Sequence, residues 1–159
     1  MSGHSLNRGW WRYSSIWLGA VFVGLAVGMG PSWFGGTDEA AGEGIRASFG
    51  SCHIGGGRNC VVDGDSLWIQ GVKVRVADID APETHDPKCA GEKALGDRAT
   101  VRLRQLVNSG TVTLASIDRD EDRYGRKLRI VKVDGRSVGD TLVGEGLARW
   151  YRGGRKPWC

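Results

Sequence analysis

The sequence predicts a small, mainly-β domain with helices, closed as a barrel and carried behind an N-terminal apolar segment. Three observations predict it. Segment 60–84, CVVDGDSLWIQGVKVRVADIDAPET, holds three short apolar runs separated by turn residues. An amphipathic helical pattern follows, and after it come two more strand patterns and a short helix. That order fits a small closed barrel better than a sandwich, because closure removes exposed strand edges. The chain has 159 residues, enough for one domain of about 100 residues with appendages.

Taken in order, the chain begins with Arg8 and Arg12 ahead of an apolar run, 16–34, that contains no charge. A helix of that length spans about 28 Å, close to a bilayer core. Trp10, Trp11 and Tyr13 flank one end and Trp33 the other, as interfacial aromatics do. The bias of basic residues places 1–15 in the cytoplasm and everything after the run outside it. A cleaved signal peptide is the competing reading. The small-residue site Ala26-Val27-Gly28 lies inside the run, and Pro31 follows the next at Gly28-Met29-Gly30, so a retained membrane anchor over 16–34 is preferred. On either reading the remainder is exported, to the periplasm or the cell exterior. Residues 35–57 form a Gly-rich linker without sustained period, with Phe49 and Ile54 placed to pin its end. The domain proper occupies 58–159 and ends in a basic tail.

Within the domain, Val61-Val62 ends a strand and Asp63-Gly64-Asp65 is a tight turn. Residues 66–70 alternate, Gly71 turns again, and 72–79 alternate until Pro82, which lacks an N–H, ends the ladder. Asp65 and Asp80 thus fall at strand ends, where neighbouring strands bring two carboxylates together. Such a pair repels unless a cation or a proton separates it. Oxygen-only donors suit a hard ion such as Ca²⁺ better than Zn²⁺. Glu83 lies just past the proline, close enough to orient a water beside that ion, and Arg75 points from the same strand. Each motif alone is ordinary: Asp-Gly-Asp is a common hairpin turn, and Asp78-x-Asp80 a solvated strand edge.

Residues 85–89 read as a loop in which His85 has no chemical role. A helix over 91–108 sets Leu95, Ala99, Leu103, Leu106 and Val107 on one stripe and leaves Arg98, Arg102 and Arg104 on a solvated face; Gly110 stops it. Residues 111–117 form a strand and 118–126 a charged loop whose four acids lack EF-hand spacing. A strand over 128–133, a turn at Asp134-Gly135, a helix over 139–145 and a last strand over 147–151 complete the order.

The specific signal is joint. The Asp63-Gly64-Asp65 hairpin, the strand carrying Arg75 into Asp80-Ala81-Pro82-Glu83-Thr84, and the downstream Asp122-Arg123-Tyr124-Gly125-Arg126 occur in that order. Together, over about 61–150, they resemble the staphylococcal nuclease (thermonuclease) family. The resemblance implies a five-stranded OB-type barrel and calcium-dependent, sugar-non-specific hydrolysis of DNA and RNA that leaves 3′-phosphates. It implies Asp65, Asp80 and the carbonyl of Ala81 as Ca²⁺ ligands and Glu83 as general base or water orienter. Arg75 and Arg126 would grip the phosphate, and Tyr124 would contact the nucleotide. No protein partner is implied, and a monomer is expected. Three departures stand out: Ala81 replaces a common threonine, Asp78 adds a charge where an apolar residue is usual, and the family's long C-terminal helix has no counterpart after the last strand. The alternative function is a catalytically silent barrel that binds nucleic acid at the cell envelope. Against it, all five polar site residues are present.

The net charge of +4 and pI near 9.0 are compatible with a polyanionic partner. Arg149, Arg152, Arg155 and Lys156 close the chain with Trp150, Tyr151 and Trp158 among them. This tail reads equally as a phosphate-and-base contact or as a solubilising end with its aromatics folded onto the core. All four cysteines follow the apolar run, on the side where disulfides persist, and an even count allows three pairings. Cys52 and Cys60 bracket a Gly-rich loop, which leaves Cys89 and Cys159. The expected pairs are 52–60 and 89–159, the second fixing the tail beside the Glu83 loop. No C-x-x-C spacing supports zinc.

Overall fold

Two tight turns organise the sheet, and both need backbone that few side chains adopt. Gln70 and Gly71 have φ of 51° and 85°, and Asp134 and Gly135 have φ of 47° and 83°. Positive φ at both central residues is the hairpin geometry that matches strand twist. Gln70 therefore belongs to the turn and not to the alternating strand. The computed structural model describes residues 43–52 and 56–159, all within the unit Thr37–Cys159. The expected cytoplasmic segment 1–15, the expected anchor 16–34, and residues 35–42 and 53–55 of the expected linker, Ile54 among them, lie outside the described residues. Among the described residues no helix is long and apolar enough to cross a membrane.

In chain order the elements are β1 (Gly50–Ser51), β2 (Cys60–Asp63), β3 (Ser66–Ile69), β4 (Val72–Val76), β5 (Ile79–Asp80), α1 (Ala90–Ser109), β6 (Val112–Glu121), β7 (Lys127–Val133), β8 (Arg136–Ser137), α2 (Val138–Gly144) and β9 (Arg149–Trp150). The main sheet runs β1-β2-β3-β4-β7-β6, with β8 on β7. It is mixed: β1 lies parallel to β2 and β4 parallel to β7, while the other neighbours are antiparallel. The closed five-stranded barrel of the sequence reading is not seen as a continuous ladder. The path is open, and one antiparallel bridge, Ile45 to Val112, joins the segment before β1 to β6.

Two predicted boundaries move for identifiable reasons. The strand expected over 72–79 breaks after Val76, because Asp78 folds inward to accept a hydrogen bond from Ser137 Oγ at 3.2 Å. The chain then turns, and β5 pairs with β9 instead of the main sheet, Ile79 opposite Trp150 and Asp80 opposite Arg149. In the other direction, β6 runs on to Glu121, through residues read as loop. Cross-strand ion pairs hold this extension: Asp120 lies 2.6 Å from Lys127 Nζ and 2.7 Å from Arg129 Nη2, and Glu121 2.7 Å from Lys127.

Helix α1 covers the sheet. Of its expected stripe, Ala99, Leu103 and Val107 are fully buried, with Leu95 and Leu106 packed partly against the same core as Val61, Leu67, Val74 and Val131. Full burial of a leucine such as Leu103 contributes about 2 kcal/mol. The basic residues off the stripe stay on the surface; Arg102 pairs there with Glu145 at 2.7 Å. The N-terminus of α1 fixes the segment that matters most downstream. Glu92, in the first turn and 5% exposed, accepts N–H bonds from Lys88 at 2.6 Å and Glu83 at 3.4 Å. It thus turns a capping-box position toward the preceding loop.

The same loop packs on α1 at Gly96. A Cβ there would sit 2.7 Å from the carbonyl oxygen of Pro82 and 3.1 Å from that of Glu83. Alanine is the better helix former by about 1 kcal/mol. The opposing atoms are backbone and cannot swing aside, so overpacking at about 1–3 kcal/mol wins. Gly96→Ala is expected to lower the melting temperature and to displace Glu83. An unchanged or raised midpoint in a thermal melt contradicts this.

Candidate active site

The site is assembled at one end of β3–β5. Asp65 closes the Asp63-Gly64-Asp65 turn, its N–H donating to Asp63 Oδ1 at 3.1 Å. Asp80 ends β5. The two carboxylates are 3% and 4% exposed, and the 7%-exposed Arg75 on β4 stands between them. Arg75 Nη1 lies 2.7 Å from Asp65 Oδ2, as an ion contact not angled as a hydrogen bond. Its Nη2 donates to the Ile79 carbonyl at 3.1 Å and is 3.9 Å from Asp80 Oδ1. The N–H of Ala81 donates to Asp65 Oδ2 at 3.2 Å, which ties the two acidic segments together.

A second guanidinium arrives from the turn just before β7. Arg126 Nη1 donates to Ser66 Oγ at 3.2 Å, and that hydroxyl donates to Asp65 Oδ1 at 3.0 Å. Arg126 is aimed by Asp122, whose Oδ2 accepts from its Nε at 2.7 Å. Asp122 Oδ1 accepts the N–H groups of Tyr124 at 2.9 Å and Arg126 at 3.0 Å, an Asx-type turn closed by Gly125 at φ 75°. Burial works against the charge on Asp122, but these bonds outweigh it and hold its carboxyl below the usual carboxylate range. Tyr124 stands 67% exposed at the rim, its ring 4.7 Å from the Arg123 guanidinium and 5.5 Å from that of Arg126.

Glu83 follows Pro82 with its backbone pinned by Glu92. Its carboxylate pairs with Nη1 of Arg155, whose Nε is 3.2 Å from Asp80 Oδ1. Burial shifts three of the acids. Burial, and then the neighbouring Asp65, push the Asp63 carboxyl up to about 6. Burial also raises Asp80, with Arg155 opposing and Asp65 adding to the shift. Asp78 is raised by burial as well.

Glu83, Asp122 and the two guanidinium groups Arg75 and Arg126 line a cleft of about 860 Å³ together with Lys73, Arg119, Arg123 and Arg155, with Tyr124 and Tyr151 among its walls. Arg75 lies 5.8 Å from the Tyr151 ring centre. Asp65, Asp80, Arg75, Glu83 and Arg126 thus come together as the sequence order suggested. His85 does not join them; it is exposed and bonded to Thr84. Trp150 is on β9 and exposed, so of the two aromatic residues ending the last strand only Tyr151 reaches the cleft. Both expected disulfides, Cys52–Cys60 and Cys89–Cys159, are formed.

Sequence reasoning missed three participants. Ser66 relays between Asp65 and Arg126. Asp122 reads from the sequence as one of four acids in a charged loop, although an Asp three residues before Gly125 is a turn signal. Arg155 was seen only as part of a basic tail.

The oxygen donors beside Asp80 suit a hard cation. Asp80 Oδ1 is buried without a hydrogen bond, beside a second buried carboxylate and the backbone of Ala81. Among the described residues no group of three or more acidic, His or Cys side chains converges, so carbonyl, water or substrate oxygens must complete the shell. Oxygen donors of that kind suit Ca²⁺. The residues fit the ion.

The profile of the family described as "Staphylococcal nuclease homologue" matches residues 73–157. The chain is 43% identical over 93 residues to "Endonuclease YncB" of Bacillus subtilis (strain 168), covering 55% of this chain and 44% of the relative. It is likewise 43% identical over 93 residues to "SPbeta prophage-derived endonuclease YokF" of the same organism, covering 55% and 31%. It is 33% identical over 110 residues to "Micrococcal nuclease" of Shigella flexneri, covering 61% and 58%. The chain therefore spans less than two thirds of the length of each.

Proposed function

Because this chain belongs to the staphylococcal nuclease homologues, we propose that it hydrolyses phosphodiester bonds of DNA and RNA with calcium, leaving 3′-phosphates. The observation that carries this reading is the convergence of Arg75 and Arg126 on the Asp65–Ser66 corner, in a cleft lined with cations. Attack of water on a phosphodiester raises its charge from one negative toward two, so the site needs fixed positive charge and a proton acceptor. Arg75 on β4 and Arg126 in the turn before β7 offer planar donors to phosphate oxygens, and each is already oriented by its own acid. Glu83 takes the proton from the attacking water. Tyr124 and Tyr151 present ring faces to a base. Asp65, Asp80 and the Ala81 carbonyl would hold the ion. When bound, calcium supplies Lewis-acid charge to the phosphate and the water.

The proposal extends to the whole chain. Residues 16–34 anchor it in a membrane as a monomer, with the domain in the periplasm or outside the cell, and two disulfides support an oxidising compartment.

The full chain is expected to degrade DNA and RNA with Ca²⁺, to stop in excess EDTA, and not to recover with Zn²⁺. Asp65→Asn keeps the shape and an acceptor oxygen beside Arg75, both of which Asp65→Ala would remove. The Asn variant should raise the calcium requirement at least about ten-fold, since one charged ligand is lost. Full activity in EDTA, or unchanged calcium dependence in that variant, overturns the metal assignment.

A further inference from the structure

The segment after β9, residues 151–159, returns across the site instead of leaving the domain. It is held at its far end by the Cys89–Cys159 disulfide and, one residue earlier, by Trp158, whose ring lies 3.7 Å from the Arg149 guanidinium. Arg149 Nη1 also donates to the Pro157 carbonyl at 3.0 Å. These ties deliver Arg155 to the two acids with the most demanding tasks. Its Nε is 3.2 Å from Asp80 Oδ1, and its Nη1 pairs with Glu83.

Asp80 Oδ1 is also the buried atom without a hydrogen bond that fits a hard cation. A guanidinium lying against that oxygen repels a divalent ion there and draws on the same lone-pair density, so the two cations oppose each other. We infer that Arg155 is a positioning residue that competes with the divalent cation for Asp80 while pairing with Glu83, so that the tail sets the calcium affinity of the site. This rests on the calcium role proposed for Asp65 and Asp80. The Arg155 side chain is 49% exposed, against 5% for Asp80, so solvent weakens its hold. The competition therefore tunes affinity and does not block the site, and an ion bearing two charges displaces the arginine at sufficient concentration.

The test is calorimetric titration of the full chain with calcium chloride and no nucleic acid. Arg155→Ala is expected to bind about five-fold tighter than the unaltered chain, the effect of removing a partly screened ion pair. Arg155→Lys should restore most of the competition, since it keeps a charge at the same reach. Arg152→Ala removes an exposed positive charge from the same segment that pairs with neither Asp80 nor Glu83, and should change the affinity less than about two-fold, because solvent and salt screen such a charge. Equal or weaker binding by Arg155→Ala overturns the competition and leaves the metal assignment standing. A tightening shared by Arg152→Ala reduces the effect to net charge and overturns the contact. Absence of calcium binding in every variant overturns the competition and the metal assignment together.

Discussion

Glu83→Gln and Arg126→Ala proteins are each expected to cleave DNA at least about 100-fold more slowly than the unaltered chain, since base and charge-stabilising contributions are of that size. Both should remain folded. Among the described residues the Glu83 side chain pairs only with the half-exposed Arg155, and its backbone is held by Glu92 whatever the side chain does. Gln preserves the shape and removes only basicity. Arg126 is more deeply placed, but losing it leaves Asp122 with the Tyr124 N–H and the residue 126 N–H, so the turn survives. The stability cost is that of its bonds to Asp122 and Ser66, about 1–3 kcal/mol. Arg126→Lys should not restore the rate, because one ammonium cannot reproduce the planar donors that meet a phosphate. Initial rates alongside thermal melts decide the matter. A folded variant with near-normal cleavage removes that residue from the proposed chemistry.

The parts of this site that the sequence disclosed are those built locally. Asp65, Arg75, Asp80 and Glu83 lie within 19 positions on a hairpin and its exit, where turn residues and alternation dictate which strand ends meet. Arg126 was found because Tyr124-Gly125-Arg126 is a second compact signal in the expected order. What was missed is long-range. Arg155 meets Glu83 across 72 positions, and the β5–β9 pairing that permits it has no periodic signature in two-residue strands. The cysteine pairing placed the tail near the Glu83 loop, but it could not say which basic residue would enter. The overrun of β6 has a similar origin: Asp120 and Glu121 look like loop residues until Lys127 and Arg129 are set opposite them. Barrel closure was inferred from element order, and order alone does not say whether the first and last strands register.

Removal of the Cys89–Cys159 bond is expected to give the largest loss of stability that spares the core. The bond closes 70 residues, and constraining an unfolded chain over that length stabilises the fold by about 4 kcal/mol as an upper figure. Cys52–Cys60 closes only 8, for which the same relation gives about 2.5 kcal/mol. A double variant, Cys89→Ser with Cys159→Ser, should therefore melt about 10 °C or more below the unaltered chain, and further below it than the matching 52 and 60 variant. Serine at 89 retains an oxygen at the N-cap of α1, where the sulfur now faces the Glu92 N–H at 3.5 Å, so the helix start is not the part being tested. Reductant should lower the melting temperature of the unaltered chain and scarcely move that of a variant lacking all four thiols. The consequence reaches the site, because most of segment 151–159 is exposed and its apolar hold is chiefly Trp158. Without the bond this end frays, and Arg155 leaves Asp80 and Glu83. A melting temperature indifferent to reductant, or free thiols at Cys89 and Cys159 in non-reducing peptide maps of the oxidised protein, would show that the bond is not what holds the tail.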